Sequence, residues 1–251
     1  MPDSDSLMSL STETLKAKLL DLVRDRDEDP ISQKVRFVND QLSPIFEELQ
    51  RRNPTPDVSE QISLVQEIWL SVWSTIPFQD ILPGRLRDQS YQVFADNGYY
   101  ANLARYKPGH QTPLLNWFVR QLLSYDLMIV QTYAIGISDE PDSSATQTWN
   151  IQNVGIKQNL RFGATVLSPK EAQTWFEQAV TQYQNQYQTQ GQDEIPIPSK
   201  NVSRAMAKKY QKVYKSQPQL EHLYIDANFR LVKSRREQSQ RPSYTIAVRN
   251  L

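Results

Sequence analysis

The chain has 251 residues, of which 39% are hydrophobic and 22% are charged, a composition that is typical of a folded globular protein and excludes a disordered chain. It contains no cysteine, so disulfides, thiolate nucleophiles and cysteine metal sites are excluded. The formal net charge is zero but unevenly distributed: residues 1–60 hold 13 acidic and 8 basic side chains, whereas residues 199–251 hold 3 acidic and 12 basic ones. The basic end suits an anionic surface, and it equally suits neutralisation of the acidic end within the fold.

The first twelve residues contain Asp3 and Asp5 but no lysine or arginine, whereas secretory signals and transit peptides are basic in this region. No apolar run approaches the roughly 20 residues of a membrane-spanning helix. The longest apolar segment, near Leu127–Ile137, is interrupted by Gln131 and Thr132. We therefore expect a cytoplasmic protein whose contact with any membrane is peripheral.

Residues 1–52 form a predicted helical region. Ser11 suits the N-cap of a first helix, whose apolar residues recur at helical spacing: Leu15, Leu19, Leu22 and Val23. A second helix follows Pro30, with a kink expected at Pro44. The segment Asn53-Pro54-Thr55-Pro56 must end this helix and continue as extended chain, so a second region, residues 53–251, is predicted to begin there.

Beyond Pro56 the apolar residues alternate with a period of two, which predicts strands. Two turn sequences, Asp96-Asn97-Gly98 and Asp226-Ala227-Asn228, lie between runs rich in β-forming residues and predict hairpins. The segment Leu114–Leu123 fits a helix as well as a strand. About eight strands are predicted in total, at or near residues 64–76, 91–95, 99–100, 127–137, 156–166, 223–225, 229–231 and 243–249. Such a set of mostly antiparallel strands is typical of a β-barrel or a β-sandwich.

A helical insertion, residues 168–217, interrupts the predicted strands. Ser168 and Glu171 make a capping box with Pro169 at the first helical position, and an apolar stripe follows at Phe176, Val180, Tyr183 and Tyr187. The glutamine-rich stretch 181–192 is expected to fray into a loop. Residues 199–217 then predict a helix with no acidic residue, whose basic side chains gather opposite a narrow apolar arc: Lys200, Arg204, Lys208, Lys212 and Lys215. This basic face suits an anionic membrane, and it equally suits a solvated surface that balances the acidic N-terminal region.

Sequence features that mark catalytic sites are missing. The seven glycines do not show the spacing of a phosphate-binding loop, and no Gly-x-Ser-x-Gly nucleophile elbow occurs. The two histidines, His110 and His222, lie too far apart in sequence to form a zinc helix motif. We therefore expect a non-catalytic protein with no cofactor, no metal and no nucleic-acid partner.

Aromatic side chains are frequent on the predicted strands, and core packing explains most of them. Some are expected to line a ligand cavity, because an eight-stranded barrel has room for one small ligand. The candidates for ligand binding are Trp69, Trp73, Tyr91, Tyr133, Trp149, Phe162 and Tyr244. Of these, the residues predicted to be largely buried are Trp69, Tyr133, Phe162 and Tyr244. In the run 156–166 the apolar residues alternate with Lys157, Asn159 and Arg161, which predicts one dry and one wet face.

Two segments resemble the two ends of the barrel in the plastid lipid-associated (fibrillin, or plastoglobulin) family: Asn53-Pro54-Thr55-Pro56 followed by Trp69, and the closing segment Tyr224-Ile225-Asp226, Phe229-Arg230-Leu231 and Tyr244 to Arg249. The chain departs from the family's usual pattern at Glu67, where a glycine is common, and in the longer helical stretch 168–217. The resemblance implies a lipocalin-like antiparallel β-barrel of the kind found in plants and cyanobacteria, and the lack of a visible transit peptide favours a cyanobacterial source. The resemblance also implies binding of apolar lipids or prenylquinones at thylakoid membranes or lipid globules.

Arg230 and Arg249 match positions of that family. They are expected either to hold a ligand head group or to form a structural pair with Asp226, and the structural pair is the preferred interpretation. Two other functions remain open. One is an assembly or scaffold protein that binds a photosynthetic or prenylquinone-synthesis protein, which a fully packed barrel would favour. The other is a lipocalin-like bilin lyase, although no acid–base constellation supports that reaction.

Overall fold

The computed structural model describes residues 7–76, 85–108, 123–137, 147–162, 166–190, 216–236 and 240–249. The helices before the sheet are α1 (Thr12–Val23), α2 (Ile31–Phe37), a π-helical turn (Val38–Leu42), α3 (Ser43–Arg51) and α4 (Val58–Val65). The strands are β1 (Glu67–Ser74), β2 (Arg85–Phe94), β3 (Tyr99–Pro108), β4 (Leu123–Ile137), β5 (Gln147–Phe162), β6 (Gln219–Ile225), β7 (Phe229–Arg235) and β8 (Ser243–Val248). Helix α5 (Pro169–Gln190) lies between β5 and β6.

Within the described residues, the eight strands form one antiparallel sheet that closes into a ring, because β1 pairs with β8 as well as with β2. Strands β4 and β5 pair along the whole of β4. The seam between β5 and β6 is short, with Trp149 opposite Leu220 and Asn150 opposite Gln219. The predicted antiparallel sheet, with helices before it and a helix ahead of its last strands, is confirmed.

A β-bulge between Ser71 and Trp73 changes which side chains of β1 point into the ring and which point out of it. Trp69 and Trp73 are four residues apart and would share a face on a regular strand. Instead, Trp69 packs inside the ring with Phe94, whereas Trp73 packs outside against the N-terminal helices. Both indoles are fully buried, but in different cores.

Helices α1 to α3 and the π-helical turn cover the outer face of β1, β6, β7 and β8 through buried leucines such as Leu15, Leu19 and Leu42. The predicted N-cap is confirmed, since Oγ of Ser11 accepts from the backbone N–H of Thr14 at 3.2 Å. The break expected at Pro44 takes the form of the π-helical turn immediately before it. Proline lacks an N–H and crowds the preceding turn, which the wider π-helical turn accommodates.

The expectation of extended chain after the proline-rich segment is wrong for residues 58–65, which form α4. Asp57 caps the start of this helix by accepting a backbone N–H at 2.8 Å. At the other end, Nη2 of Arg249 donates to the carbonyls of Leu64 and Gln66 at 2.6 and 2.7 Å. The apolar side of α4 packs on the core inside the ring and closes one end of it. Local periodicity carries no information about a partner as distant in sequence as Arg249, so α4 was not predicted.

Helix α5 packs on the outer face of β2, β3, β4 and β5. Its predicted capping box is confirmed: the N–H of Glu171 donates to Oγ of Ser168 at 3.2 Å, and the N–H of Ser168 donates to Oε2 of Glu171 at 2.9 Å. The expected fraying of the glutamine-rich stretch is wrong, since the helix continues to Gln190. Tyr183, within that stretch, is buried against the sheet above Gly155.

The assignment of a dry and a wet face on β5 is correct for Ile156, which is buried, and for Asn159, which is exposed, but it is wrong near the end of the strand. The supposedly dry residues Leu160 and Phe162 are 58% and 78% exposed. On the opposite face, Arg161 donates to the fully buried Asp126 at 3.1 Å, and Asp126 also binds Arg105 at 2.6 Å. Asp126 thus holds Arg161 against the outer wall of the ring. Leu160 and Phe162 are exposed where β5 extends past the short β6.

Both predicted hairpins are confirmed. Gly98 has a φ of +81° between β2 and β3, and Oδ1 of Asp226 accepts the N–H groups of Asn228 and Phe229 between β6 and β7. Residues 114–122 and 199–215 lie outside the described residues, so their elements stay predictions. The same holds for the basic side chains of the second segment, Lys200, Arg204, Lys208, Lys212 and Lys215. Residues 216 and 217 are described and are not helical, so the basic helix predicted over 199–217 does not extend to its expected end.

Candidate ligand-binding cavity

The inner faces of the strands enclose a cavity of about 350 Å³, a size within the range of about 300–1,000 Å³ typical of small-molecule sites. It occupies the part of the ring away from α4, where β7 and β8 pair through Ser234 and Ser243. Its described apolar lining includes Ile76, Leu127, Ile129, Ile151, Leu220 and Val232. Its described polar lining includes Ser71, Ser90, Gln92, Asn102, Gln131, Asn153 and Thr245.

Strand β3 shows how the two faces of the wall differ. Leu103 and Arg105 point outward and are buried by neighbouring parts of the chain. Asn102 and Ala104 point inward and are only half-buried, because they border the cavity. In this part of the ring, the outward-facing side chains are therefore more deeply buried than the inward-facing ones.

Four amide side chains, Gln92, Asn102, Gln131 and Asn153, form a continuous hydrogen-bonded row along the cavity wall, which we call the amide girdle. Nε2 of Gln92 donates to Oδ1 of Asn102 at 2.9 Å, and Nδ2 of Asn102 donates to Oε1 of Gln131 at 2.6 Å. Nε2 of Gln131 donates to Oδ1 of Asn153 at 2.7 Å. Nδ2 of Asn153 donates to the backbone carbonyl of Ser216 at 3.0 Å. The girdle thus crosses β2, β3, β4 and β5 and gives a partly apolar cavity one hydrogen-bonding side.

Below the girdle, toward α4, an aromatic cluster fills the ring and forms the cavity floor: Trp69, Phe94, Tyr100, Tyr133 and Trp149. Phe94 and Tyr100 are stacked with ring centroids 4.9 Å apart, and the centroids of Tyr133 and Trp149 are 4.7 Å apart. Burial raises the pKa of the Tyr100 hydroxyl, since a phenolate would lose its hydration there. The floor is therefore a packed core, and the space for a ligand lies above it.

Arg230 is fully buried in this floor. Its guanidinium carbon lies 5.0 and 4.7 Å from the ring centroids of Trp69 and Phe94, which places the cation between two π-faces. Nε and Nη2 lie 3.2 and 3.0 Å from Nε2 of His222, while Nη1 has no hydrogen-bond partner. Burial lowers the pKa of Arg230 to about 9.

His222 is a neutral structural group in this arrangement. Because a guanidinium can only donate, Nε2 of His222 must accept and its proton must sit on Nδ1. Nδ1 lies 2.8 Å from Oε1 of Gln61 on α4, which also accepts from Nε1 of Trp149 at 3.0 Å. Burial, together with the charge of Arg230, lowers the pKa of His222 well below its ordinary value. The imidazole thus links the ring to the helix that closes it.

The expected pairing of Arg230 and Arg249 with Asp226 is wrong. Asp226 instead binds Nζ of Lys16 at 2.6 Å and accepts from the hydroxyl of Tyr224 at 2.9 Å. The reason is the side of the sheet on which each group lies. Asp226 faces α1 outside the ring, whereas Arg230 points inside and Arg249 is engaged by the carbonyls that end α4.

None of the predicted ligand-binding residues is among the described lining of the cavity. Five of them lie in or beside the floor: Trp69, Tyr133, Trp149, Arg230 and Arg249. The expected burial is confirmed for Trp69, whereas Tyr133 is half-buried.

The other four candidates lie outside the ring or at its edge. Trp73 and Tyr244 face the N-terminal helices, where the ring of Tyr244 lies 5.0 Å from that of Phe46 and is half-buried. Tyr91 faces α5, and its hydroxyl donates to the carbonyl of Leu167 at 2.9 Å. The prediction that Phe162 is buried is wrong, because β5 runs past its neighbour β6.

Sequence reasoning missed the amide girdle. Polar residues that alternate with apolar ones along a strand are normally interpreted as facing solvent. Gln92 and Asn102 follow this pattern, and periodicity cannot tell an aqueous exterior from a hydrogen-bonded interior. One signal was available: amides recur at inward positions on four adjacent strands, where charged residues would be more common on a solvated surface.

The described cavity lining contains no Asp, Glu, His or Lys side chain. Arg236 and Arg241 are its described charged groups, and they lie at the end away from the floor. In the described part of the chain, no group of three or more metal-ligating His, Cys, Asp or Glu side chains occurs. The arrangement offers shape, apolar contact and hydrogen bonds to a ligand.

No protein-family model matches the chain, and neither a curated protein nor a solved structure matches it. None of the helices in the described ranges is long and apolar enough to cross a membrane.

Proposed function

We propose that this chain is a non-catalytic binding protein that holds one apolar small molecule, of the lipid or prenylquinone class, inside a lipocalin-like barrel. The observation that carries the proposal is the cavity of about 350 Å³ with apolar walls and one hydrogen-bonding side. Such a combination favours a ligand with an apolar body and a small polar group. The described lining has no acid–base pair, so we do not propose a lyase reaction.

In this proposal the apolar body of the ligand lies against Leu127, Ile129 and Val232, and the polar group contacts the amide girdle. The packed aromatic floor prevents deeper entry, so the remainder of a long ligand leaves by the end near Arg236. We expect a Kd in the micromolar range, which corresponds to a binding free energy of about −8 kcal/mol.

Support for the resemblance to the plastid lipid-associated family comes from the two segments that carry it, because they meet in the fold. Oδ1 of Asn53 accepts the N–H of Ile225 at 3.1 Å, and Nδ2 of Asn53 donates to the carbonyl of His222 at 3.3 Å. We extend the proposal to a peripheral location at photosynthetic membranes or lipid globules.

The test is a titration of the full chain with N-phenyl-1-naphthylamine, an apolar fluorophore, followed by displacement with short-chain prenylquinones and prenylquinols. Ala104 points into the cavity, so Ala104→Phe should fill it and weaken probe binding at least tenfold. Ala227 lies exposed in the β6–β7 turn, and Ala227→Phe should bind like the unsubstituted chain. Equal binding by both variants, or no binding by the unsubstituted chain, would contradict the proposal. Native extraction followed by mass spectrometry would then identify the natural ligand.

A second candidate is an assembly protein for a photosynthetic or prenylquinone-synthesis partner. The observation in its favour is the set of exposed apolar side chains at and beyond the end of β5: Leu160, Phe162 and Val166 are 58%, 78% and 63% exposed. Co-purification of a partner that is lost in Phe162→Ser but kept in Ala104→Phe would favour this function over small-molecule binding.

A further inference from the structure

The direction of the amide girdle is set by its last partner. Ser216 contributes a backbone carbonyl, which can only accept, so Asn153 must turn its Nδ2 toward it. Oδ1 of Asn153 is then left to accept from Gln131. The same constraint passes along the row, since each amide that donates with its nitrogen presents its oxygen to the previous residue.

The constraint reaches Gln92 at the opposite end. Asn102 presents its oxygen, so Gln92 must present its nitrogen, and the 2.9 Å contact agrees. Turning the Gln92 amide over would place two oxygens against each other without a proton between them. Oε1 of Gln92 is therefore directed away from the girdle by the network itself.

Oε1 of Gln92 has no hydrogen-bond partner, although the side chain is only 5% exposed and belongs to the cavity lining. An unsatisfied buried carbonyl is unfavourable, and a group that donates to it would be stabilised correspondingly. The nitrogen atoms of the girdle, in contrast, each have a partner. Oε1 of Gln92 is thus the amide atom of the girdle that has no partner, and as an acceptor it requires a donor.

We infer that the cavity recognises a ligand through a hydrogen-bond donor, a hydroxyl or an N–H on an apolar frame, placed against Oε1 of Gln92. The inference rests on the proposed binding function and narrows its ligand class. It favours an alcohol over its ether, and the reduced, hydroxyl-bearing form of a quinone over the oxidised form. A ligand that only accepts hydrogen bonds leaves Oε1 unsatisfied.

The experiment compares 2-naphthalenemethanol with its methyl ether, 2-(methoxymethyl)naphthalene, by isothermal titration calorimetry on the full chain. The two probes share the apolar frame and the acceptor oxygen, and they differ in the donor. We expect the alcohol to bind at least tenfold more tightly. Equal affinities, with both probes bound, would overturn the inference and leave the proposed function standing. If neither probe binds and the fluorophore does not bind either, the proposed function fails and the inference with it.

Gln92→Lys provides the matched change. An ammonium at this position can donate to Oδ1 of Asn102 and offers no acceptor, so the preference for the alcohol should disappear. Ser90→Lys places the same charge on the same strand and the same cavity wall but leaves the girdle intact, so the preference should remain. A preference that persists in Gln92→Lys would overturn the assignment to Gln92. If that variant does not fold, the comparison of the two probes on the unsubstituted chain decides alone.

Discussion

Arg230 donates to Nε2 of His222 inside the ring, and the two side chains are fully buried or nearly so. The described residues offer Arg230 no carboxylate, so its charge is held by the imidazole nitrogen and by the faces of Trp69 and Phe94. The contact requires a neutral imidazole, because a protonated one would have no lone pair for the guanidinium. The core therefore depends on the protonation state of one histidine.

The first prediction is a loss of stability in mild acid. The pKa of His222 is lowered in the folded state, so below the unfolded value of about 6.5 the unfolded chain takes up a proton that the folded chain does not. Stability is then complete above about pH 6.5 and falls as the pH falls, by about 2 kcal/mol between pH 7.5 and 5 for this group. His222→Gln keeps an acceptor for Arg230 and a donor for Gln61 without titrating. Urea unfolding at pH 7.5 and at pH 5 should show that this variant loses less unfolding free energy between the two pH values than the unsubstituted chain. Equal losses would exclude His222 as the cause.

The second prediction concerns the closure of the ring by α4. Arg249→Met keeps an apolar stem but removes the two bonds to the carbonyls of Leu64 and Gln66. Hydrogen bonds from charged groups stabilise by about 1.5–3 kcal/mol each, so for the two bonds together we expect a loss of about 3–6 kcal/mol in chemical unfolding. Arg24→Met, which removes an exposed contact with Asp21, is the control and should leave the midpoint unchanged. A comparable effect of both variants would argue against the capping role.

The third prediction tests the contact between α5 and the sheet. A Cβ at Gly155 would lie 2.1 Å from Oη of Tyr183, so Gly155→Ala forces the tyrosine or the helix to move. We expect a destabilisation of about 1–3 kcal/mol. In a Tyr183→Leu background the same alanine should cost much less, because the clashing ring is gone. A double-mutant cycle measures this coupling, and additive effects would show that the two residues do not meet.

The fourth prediction concerns the buried charges on the outer wall. Asp126 is fully buried and binds both Arg105 and Arg161. Asp126→Asn removes the carboxylate that binds the buried guanidinium of Arg105, and removal of one partner from a buried ion pair costs about 3–5 kcal/mol. Asp21→Asn, at a contact where both side chains are largely exposed, serves as the control. If the two variants unfolded at the same urea concentration, the ion cluster would contribute nothing to stability.

The elements that local sequence predicts correctly are those fixed by neighbours along the chain. The cap at Ser11, the capping box at Ser168 and the turn at Gly98 each depend on residues within a few positions. Within a strand that has no bulge, periodicity likewise identifies which residues share a face. These interactions require no knowledge of the rest of the fold, so they could be predicted in advance.

Residues whose environment depends on distant parts of the chain were not predictable in the same way. The bulge in β1 sends Trp69 and Trp73 to opposite faces, although their spacing places them on one. Helix α4 is completed by Arg249, far away in sequence. The girdle residues, such as Gln92, match a solvent-facing pattern until the ring closes around them. The candidate site was missed for this reason: aromatic residues fill the floor, and amides face the ligand space.

The fifth prediction concerns the basic segment 199–215, which lies outside the described residues. Its six lysine and arginine side chains occur without an acidic residue. Near an anionic membrane each is worth at most about 1 kcal/mol, so we expect reversible adhesion that weakens with salt. Liposome sedimentation with anionic lipid should show binding at low salt, reduced binding at high salt, and no binding by the combined variant Lys200→Gln, Arg204→Gln, Lys208→Gln and Lys212→Gln. The melting temperature of that variant should stay nearly unchanged, because the charges are expected on a solvated face. A control with neutral liposomes separates electrostatic from apolar adhesion. If the unsubstituted chain does not bind anionic liposomes, the membrane role is wrong, and the basic side chains would instead balance the acidic N-terminal region.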